Sequence, residues 1–406
     1  MIKVLPFKGD AFAIFKKFSG QKGCFFLDSS LRSKESAHSF IGFSPIKVIT
    51  GQELDELRVV FAAQQRLQAK AVGYIAYEGG FHFGLYQNWI TVDHIKGQIQ
   101  VHAATSKGMH RILDVLEHSL VTVPVIKTQP FKPHSNFNKQ MYVRAVKEAL
   151  SAITRGDIYQ INLSRVITAD IALDPVLLYA ALRQHSPSPF TAYYDNGKEQ
   201  ILSSSPERFL KLIGRTVQVK PMKGTRPRGE TMKEDKCLRQ DLVHSAKEIA
   251  ELLMVTDLER NDLGRVCEPG SIKVRAMRTI EAYASVFQAT ATIEGQMRKD
   301  QGLVDLIKAT FPSGSVTGCP KIEAMKLIKS IEGVPRGFYT GALGHIDIDG
   351  NMDLSVLIRS IMVSSKKLRY HVGGGIVADS VPVKEYAETT LKAKAIECAI
   401  REVIGV

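Results

Sequence analysis

Strand-like and helix-like segments follow one another in this chain without the regular β-α-β alternation that a parallel sheet requires. Short apolar or alternating runs at Gly23–Leu27, Ile46–Ile49 and Val72–Tyr77 read as strands with turns between them. Tyr159–Val166, Ile201–Ser204, Gly341–Ile348 and Leu368–Val372 are also strand-like, whereas Leu242–Thr256, Pro320–Ile331 and Val383–Val403 carry helical patterns. Lys139–Arg155 places Tyr142, Val146, Ala149, Leu150 and Ile153 on one helical stripe, with Gly156 where a C-terminal cap belongs. No fixed-period repeat or low-complexity tract interrupts this order. It predicts an α+β fold built on large antiparallel sheets. A polar, proline-bearing stretch, VPVIKTQPFKPHSNFN, reads as a crossover at 123–138 between a strand-rich region at 1–122 and a longer region at 139–406.

Composition removes several classes of function. No apolar run approaches the roughly 18 residues of a membrane helix, and the opening MIKVLPFKGDAFAIFKKF lacks a continuous apolar signal core. Neither membrane insertion nor export is expected. Five cysteines, odd in number and far apart with no CxxC pair, support neither a disulfide framework nor a zinc site, so a reducing cytoplasm is the expected setting. The formal charge of +13 invites an acidic partner. Lysine and arginine are spread along the whole chain, however, without an aromatic-interleaved basic block, so nucleic acid is not expected. A small anionic substrate also suits a basic protein.

Several constellations are able to carry chemistry. Glu248 and Glu251 lie three apart on one helical face in KEIAELLMVTDL, and Glu385 and Glu388 repeat that spacing in VKEYAETTLKAKAIECAI, with Lys392 four residues further on. Spacing alone favours solvated helix faces, with Glu388 and Lys392 an i,i+4 pair. The sharper reading has four carboxylates from two helices converging on a hard divalent cation such as Mg2+. The segment PSGSVTGCPK runs into a helix start that offers free N–H groups to a carboxylate, and Gly373-Gly374-Gly375 ends an alternating strand where backbone amides could approach an anion. Ordinary turn chemistry and a bulge also explain both, and for the glycine run by itself the bulge is the favoured reading. Arg359 lies between apolar runs in LSVLIRSIMV, and a guanidinium in a strand this apolar needs a carboxylate partner from protein or ligand. Glu207 follows a strand-like run in SSSPERFL, where a pocket edge would raise its pKa and suit a general acid. Lys223 lies between a proline and a glycine in VKPMKGTRPRG, and near other cations it would be partly neutral and nucleophilic. Each of the two is otherwise an ordinary loop charge.

Together these segments resemble the chorismate-utilising enzymes, the family of anthranilate synthase component I, aminodeoxychorismate synthase component I, isochorismate synthase and salicylate synthase. The resemblance rests on GDIYQINLSR (156–165), SSPERF (204–209), PMKGTRPRG (221–229), KEIAELLMVTDLERNDLGRV (247–266), PSGSVTGCPK (312–321), GALGHIDIDGNMDLSVLIRS (341–360) and GGGIVADSVPVKEYAET (373–389). Weaker matches, FLDSS (26–30), SFIGFSP (39–45) and GYIAYEGG (73–80), fall in the expected order. It implies one large α+β fold of two packed antiparallel sheets flanked by helices, with 139–406 the chorismate-binding catalytic region and 1–122 an N-terminal component I region of the same fold.

The resemblance also implies roles. Glu251 and Glu388 match Mg2+ ligands, and Glu248 and Glu385 match accompanying acids. Lys392, Arg359, Tyr339, Thr317, Gly373 and Gly375 match substrate-binding positions, and Glu207 matches the acid that protonates the departing 4-hydroxyl. Family members that add water carry a lysine where this chain has Gln160, so isochorismate and salicylate synthesis are disfavoured. The anthranilate branch typically reads PIAGT where this chain reads PMKGT, and Lys223 marks the aminodeoxychorismate branch. Two positions depart from the pattern: Gln288 replaces a histidine of anthranilate synthases, and His345 replaces an aromatic residue after GALG. The implied activity is conversion of chorismate and ammonia to 4-amino-4-deoxychorismate, toward p-aminobenzoate and folate. The ammonia would come from a separate glutamine amidotransferase subunit. The alternatives are anthranilate synthase component I and, in another class, a non-catalytic basic binding protein. The acids intact at 207, 251 and 388 oppose the last of these.

Overall fold

The computed structural model describes residues 1–31, 37–118, 130–283 and 286–405, so residues 123–129 of the expected crossover lie outside the described residues. Two antiparallel sheets, one of 12 strands and one of 10, carry the chain. Their strands alternate side chains between two apolar environments, as a sheet buried on both faces must. In the larger sheet Phe25, Tyr194, Ile201 and Met362 point inward and meet Tyr86, Val72 and Leu343 of the smaller one. Their neighbours Phe26, Tyr193, Leu202 and Ile361 point outward, under helices Ala11–Phe18, Pro175–His185 and Pro382–Ile404. Helices Leu57–Leu67 and Leu303–Thr310 cover the outer face of the smaller sheet.

Strands from before the crossover lie inside both sheets. Phe25–Asp28 pairs with Phe190–Asp195 in the larger sheet, and Lys70–Ile75 pairs with Ala342–Ile346 in the smaller. The longest pairing joins Gln160–Asp170 to Lys367–Ile376 without a break, from Ile161 opposite Ile376 to Asp170 opposite Lys367. Helix Lys139–Arg155 spans the expected residues, and Gly156 closes it in the left-handed conformation at φ 82°.

Two local readings are corrected. Leu242–Thr256 is not one helix: Ser245 leaves helical geometry at ψ 106°, ending Met232–His244 and capping Ala246–Gly264, where its hydroxyl accepts from Glu248 N–H. A serine that can satisfy a free N–H makes that break favourable. Arg359 does not sit within a strand. It stands at φ 50° where the chain passes from Met352–Val356 in the smaller sheet to Ser360–Val363 in the larger. PSGSVTGCPK runs into helix Lys321–Glu332 as expected, with Pro320 at the N-cap; within the segment lie a short 3-10 turn at Gly314–Val316 and a bridge of Gly318–Cys319 to Gln160–Ile161.

One buried ion pair ties these elements together. Arg336 and Glu332 each have only 1% of the side chain exposed. Arg336 donates to Glu332 Oε2 at 3.0 Å and Oε1 at 2.7 Å, to Asn162 O at 2.6 Å, to Val316 O at 2.9 Å and to Thr340 Oγ1 at 3.2 Å. Glu332 Oε1 also accepts from Ser164 N at 2.8 Å and Ser164 Oγ at 3.0 Å. All five guanidinium N–H groups are thereby used. Replacing Arg336 by leucine strands the Glu332 charge, so unfolding in urea should show a loss of about 3–5 kcal/mol. A loss below about 1 kcal/mol would mean the pair is not structural.

Candidate active site

Ser245, by starting helix Ala246–Gly264 where it does, puts Glu248 and Glu251 in the first turns. Arg226 Nη1 lies 3.3 Å from Glu248 Oε1, and Lys247 Nζ lies 3.8 Å from Glu251 Oε1. Helix Pro382–Ile404 contributes Glu385, Glu388 and Lys392 against the glycine strand Lys367–Ile376. Lys392 Nζ meets Glu388 Oε1 at 2.7 Å and donates to Gly373 O at 3.0 Å. A Cβ at Gly374 would lie 3.5 Å from Glu388 Oε1 and 3.6 Å from Glu385 Oε2.

The two helices share one electrostatic field. Burial raises the pKa of Glu251, and the charges of Glu248 and Glu388 add to the rise against Lys223 and Lys247. Burial also raises Glu385, and the Glu388 charge adds to that. Burial acts in the same direction on Glu388, but Lys392, with Lys247 and Lys223, outweighs it and holds that carboxyl below its usual range. Glu385 is 4% exposed, and its Oε2 has no hydrogen-bond partner. Among the described residues no group of three or more His, Cys, Asp or Glu is already drawn to metal-ligand spacing. The donor set is nonetheless all oxygen, with an orphaned carboxylate oxygen on Glu385 and two carboxyls, Glu251 and Glu385, raised in part by neighbouring acids. That combination fits a hard divalent cation completed by water and ligand oxygens.

The second half of the site lies on the smaller sheet. Strand Met222–Pro227 pairs with Val286–Gln296, and its register breaks between Lys223 and Thr225 at Gly224, φ 80°. A side chain at Gly224 would start 2.8 Å from Leu242 Cδ1 and 2.9 Å from Glu248 Oε2, and the left-handed φ strains any residue but glycine there. Lys223 Nζ donates to Ser315 O at 3.2 Å. Burial lowers its pKa against the pull of Glu251 and Glu207, and Lys392 adds to the lowering. Glu207, 4% exposed, has no partner for Oε1. Burial pushes its carboxyl up to about 7, with Glu259 adding and the Ser315 hydroxyl and Lys223 opposing. A Cβ at Gly375 would lie 2.9 Å from Gln160 Nε2 and 3.4 Å from Lys223 Nζ, so Gly375, Gln160 and Lys223 adjoin.

The remaining expected residues divide. Tyr339 stacks on His371 with centroids 4.9 Å apart, and its hydroxyl lies 2.9 Å from where a Gly373 Cβ would sit. Burial raises its pKa to about 12 despite Arg336. The Thr317 hydroxyl donates to Ser313 O at 3.0 Å, so it is engaged within its own turn. The Arg359 guanidinium makes no hydrogen bond or ion pair among the described residues, and burial alone lowers its pKa. Gln288, 1% exposed, has an unpartnered Oε1. His345 lies elsewhere, in a cavity of about 430 Å3 whose lining includes Asp28, Phe40 and Phe190 but none of the candidate site residues. Burial and Lys70 lower its pKa to about 3. Glu259, Ser313 and Ser315 were not singled out from sequence, although Glu259 continues the Glu251 face two turns on.

A family model described as chorismate binding enzyme matches residues 20–397. The chain is 33% identical to anthranilate synthase component 1 of Methanothermobacter marburgensis over 426 residues, covering 95% of this chain and 92% of that protein. It is 42% identical over 272 residues to an aminodeoxychorismate synthase of Streptomyces griseus, covering 66% of this chain and 37% of the relative. The crystal structure of anthranilate synthase component I from Streptococcus pneumoniae superposes with a TM-score of 0.78 at 27% identity, covering 90% of this chain and 93% of that one. The menaquinone-specific isochorismate synthase of Escherichia coli, at 18% identity and a TM-score of 0.81 over 98% of this chain and 95% of that one, shares the fold.

The lowered pKa of Lys223 makes its amine neutral at a lower pH than a free lysine. Reductive 13C-methylation followed by NMR titration should place the Lys223 resonance below the ordinary lysine range. Titration alongside the surface lysines would contradict the buried environment.

Proposed function

The chain belongs to the chorismate-binding enzyme family, and from that premise we propose that it is an aminodeoxychorismate synthase component I, joining ammonia to chorismate at C4. The observation that carries this reading is Lys223, an amine with lowered pKa set beside Glu207, Glu251, Gln160 and Gly375. In this reading the Lys223 amine bonds to C2 of the ring, both ring double bonds shift by one position, and the C4–O bond breaks. Glu207, raised to about 7, gives its proton to the departing hydroxyl, which leaves as water. Ammonia then bonds to C4, both double bonds shift back, and the C2–N bond to Lys223 breaks. Glu251 and Glu388, with Glu248 and Glu385 beside them, would hold Mg2+, which supplies positive charge for the ring carboxylate. Lys392, Arg359, Tyr339, Thr317 and the backbone at Gly373 and Gly375 would bind the substrate. Arg359, with no partner of its own, suits a substrate carboxylate. A separate glutamine amidotransferase subunit would deliver the ammonia.

The second reading is anthranilate synthase component I, supported by relatives of that name that match nearly the full length of the chain. There a single ammonia attack at C2 precedes loss of pyruvate, and Lys223 has no covalent part.

Incubation with chorismate, Mg2+ and excess ammonia, followed by mass analysis, separates the two: 4-amino-4-deoxychorismate is expected, and anthranilate with pyruvate replaces the first reading by the second. Lys223→Ala should lower C4 amination by roughly 10²-fold or more, and unchanged kinetics and product would remove the nucleophile. Glu251→Gln should weaken the Mg2+ requirement curve by roughly tenfold; an unaltered Mg2+ titration would sink its assignment as a ligand.

A further inference from the structure

We propose that Asn162 is a substrate-binding residue whose carboxamide donates to an oxygen of the bound chorismate over the glycine pair Gly373 and Gly375. It rests on the reading of that glycine strip as the floor on which the substrate lies, which both candidate activities share.

Strand Gln160–Asp170 sends alternate side chains to opposite faces. Ile161 and Leu163 enter the apolar core beneath helices Lys139–Arg155 and Lys321–Glu332. Gln160, Asn162 and Ser164 therefore share the other face. In the antiparallel pairing Asn162 stands directly opposite Gly375, and Ser164 opposite Gly373. Residues paired in this way point to the same side of a sheet. Two distances fix that side. Gln160 Nε2 lies 2.9 Å from where a Gly375 Cβ would sit, and Ser164 Cβ lies 2.9 Å from where a Gly373 Cβ would sit. Asn162 stands between the two. The Gly375 position is also 3.4 Å from Lys223 Nζ, and the Gly373 position 2.9 Å from the Tyr339 hydroxyl. This face of the strand thus looks into the candidate site.

The backbone of Asn162 is held on both sides. Its N–H donates to Thr317 O at 2.7 Å, and its carbonyl accepts from Arg336 Nη2 at 2.6 Å. The side chain is not used in this way. It is 8% exposed, and its Nδ2 has no hydrogen-bond partner among the described residues. On the same row the Ser164 hydroxyl is already committed to Glu332. Burial raises the pKa of Tyr339 against Arg336, and the Asn162 amide opposes the rise as well, so it faces that hydroxyl without meeting hydrogen-bond geometry.

A buried amide donor that makes no bond costs free energy, and asparagine is a poor strand former. An apolar side chain would fill the position with neither penalty. The donor is satisfied once an acceptor oxygen lies over the two glycines, where no side chain competes for the space. Chorismate brings two carboxylates, an ether oxygen and a hydroxyl to that strip. The pinned backbone holds the donor in place before the ligand arrives.

The test is calorimetric binding of chorismate, with Mg2+ and without ammonia, to wild type, Asn162→Leu and Asn162→Ser, beside urea unfolding of each unliganded chain. Leucine removes the donor, whereas serine keeps one. Asn162→Leu should bind chorismate roughly 10- to 100-fold more weakly and unfold at an equal or higher urea concentration. Asn162→Ser should recover part of the affinity. With ammonia present, KM for chorismate should rise in Asn162→Leu while KM for ammonia stays in place. Weaker binding without a loss of stability is the mark of a ligand contact. Equal affinity in wild type and Asn162→Leu overturns the proposal, as does weaker binding that tracks a loss of stability in both variants. Should Asn162→Leu not fold, Asn162→Ala removes the donor with less bulk and is read in the same way. In a Tyr339→Phe background the leucine penalty should persist; its disappearance would mean that Asn162 acts only through the tyrosine, and the direct contact falls. If the wild-type chain itself does not bind chorismate, the reading of the glycine strip is what fails.

Discussion

The Arg336 guanidinium is the point at which the separate pieces of the site acquire a common frame. It reaches the strand Gln160–Asp170 through Asn162 O, the 312–320 segment through Val316 O, and the turn after Tyr339 through Thr340. Glu332 neutralises it and holds Ser164 of the same strand. Gln160 beside Lys223, Ser315 beneath Lys223 and Tyr339 beside Gly373 are each within a few residues of one of those contacts. A buried pair of this kind is weak as a source of net stability. Its value here is geometric, since a fully satisfied guanidinium accepts only one arrangement of its five acceptors.

Around that frame the chain concentrates groups that would be cheaper apart. Glu251 and Glu385 are pushed up by burial and by neighbouring acids, Lys223 is pushed down, and Arg359 has no counter-ion among the described residues. None of these choices helps the protein fold. Local conflicts of this sort are expected where a ligand with its own charges completes the arrangement. In the larger sheet the strands away from the site alternate their inward and outward residues between two apolar cores.

This division explains what was legible from sequence. Apolar periodicity reports which face of an element is buried, so the antiparallel α+β architecture, the helix Lys139–Arg155 with its Gly156 cap, and the paired glutamates on two helices could all be read from residues close in sequence. Ser245 was hidden because the apolar pattern continues across it, while a single side-chain bond to Glu248 N–H ends the helix. Arg359 was misplaced because both flanking strands are apolar, although they belong to different sheets. The hydrogen bonds from Glu259 to Ser313 and on to Ser315 join two distant parts of the chain, and no periodicity relates them. What depends on one helix or strand could be read; what depends on how the chain returns to itself could not.

The interleaving of early and late strands sets the order in which the molecule can come into being. Phe25–Asp28 cannot gain its neighbour Phe190–Asp195 until some 160 further residues have been made, and Lys70–Ile75 waits still longer for Ala342–Ile346. On the ribosome the first hundred residues therefore emerge with apolar strand edges exposed and nothing yet present to cover them. Chain closures over such distances are slow, and open edges in the interval invite pairing with other chains. The architecture that interleaves the two regions of the chain also leaves the newborn chain with open strand edges for most of its synthesis.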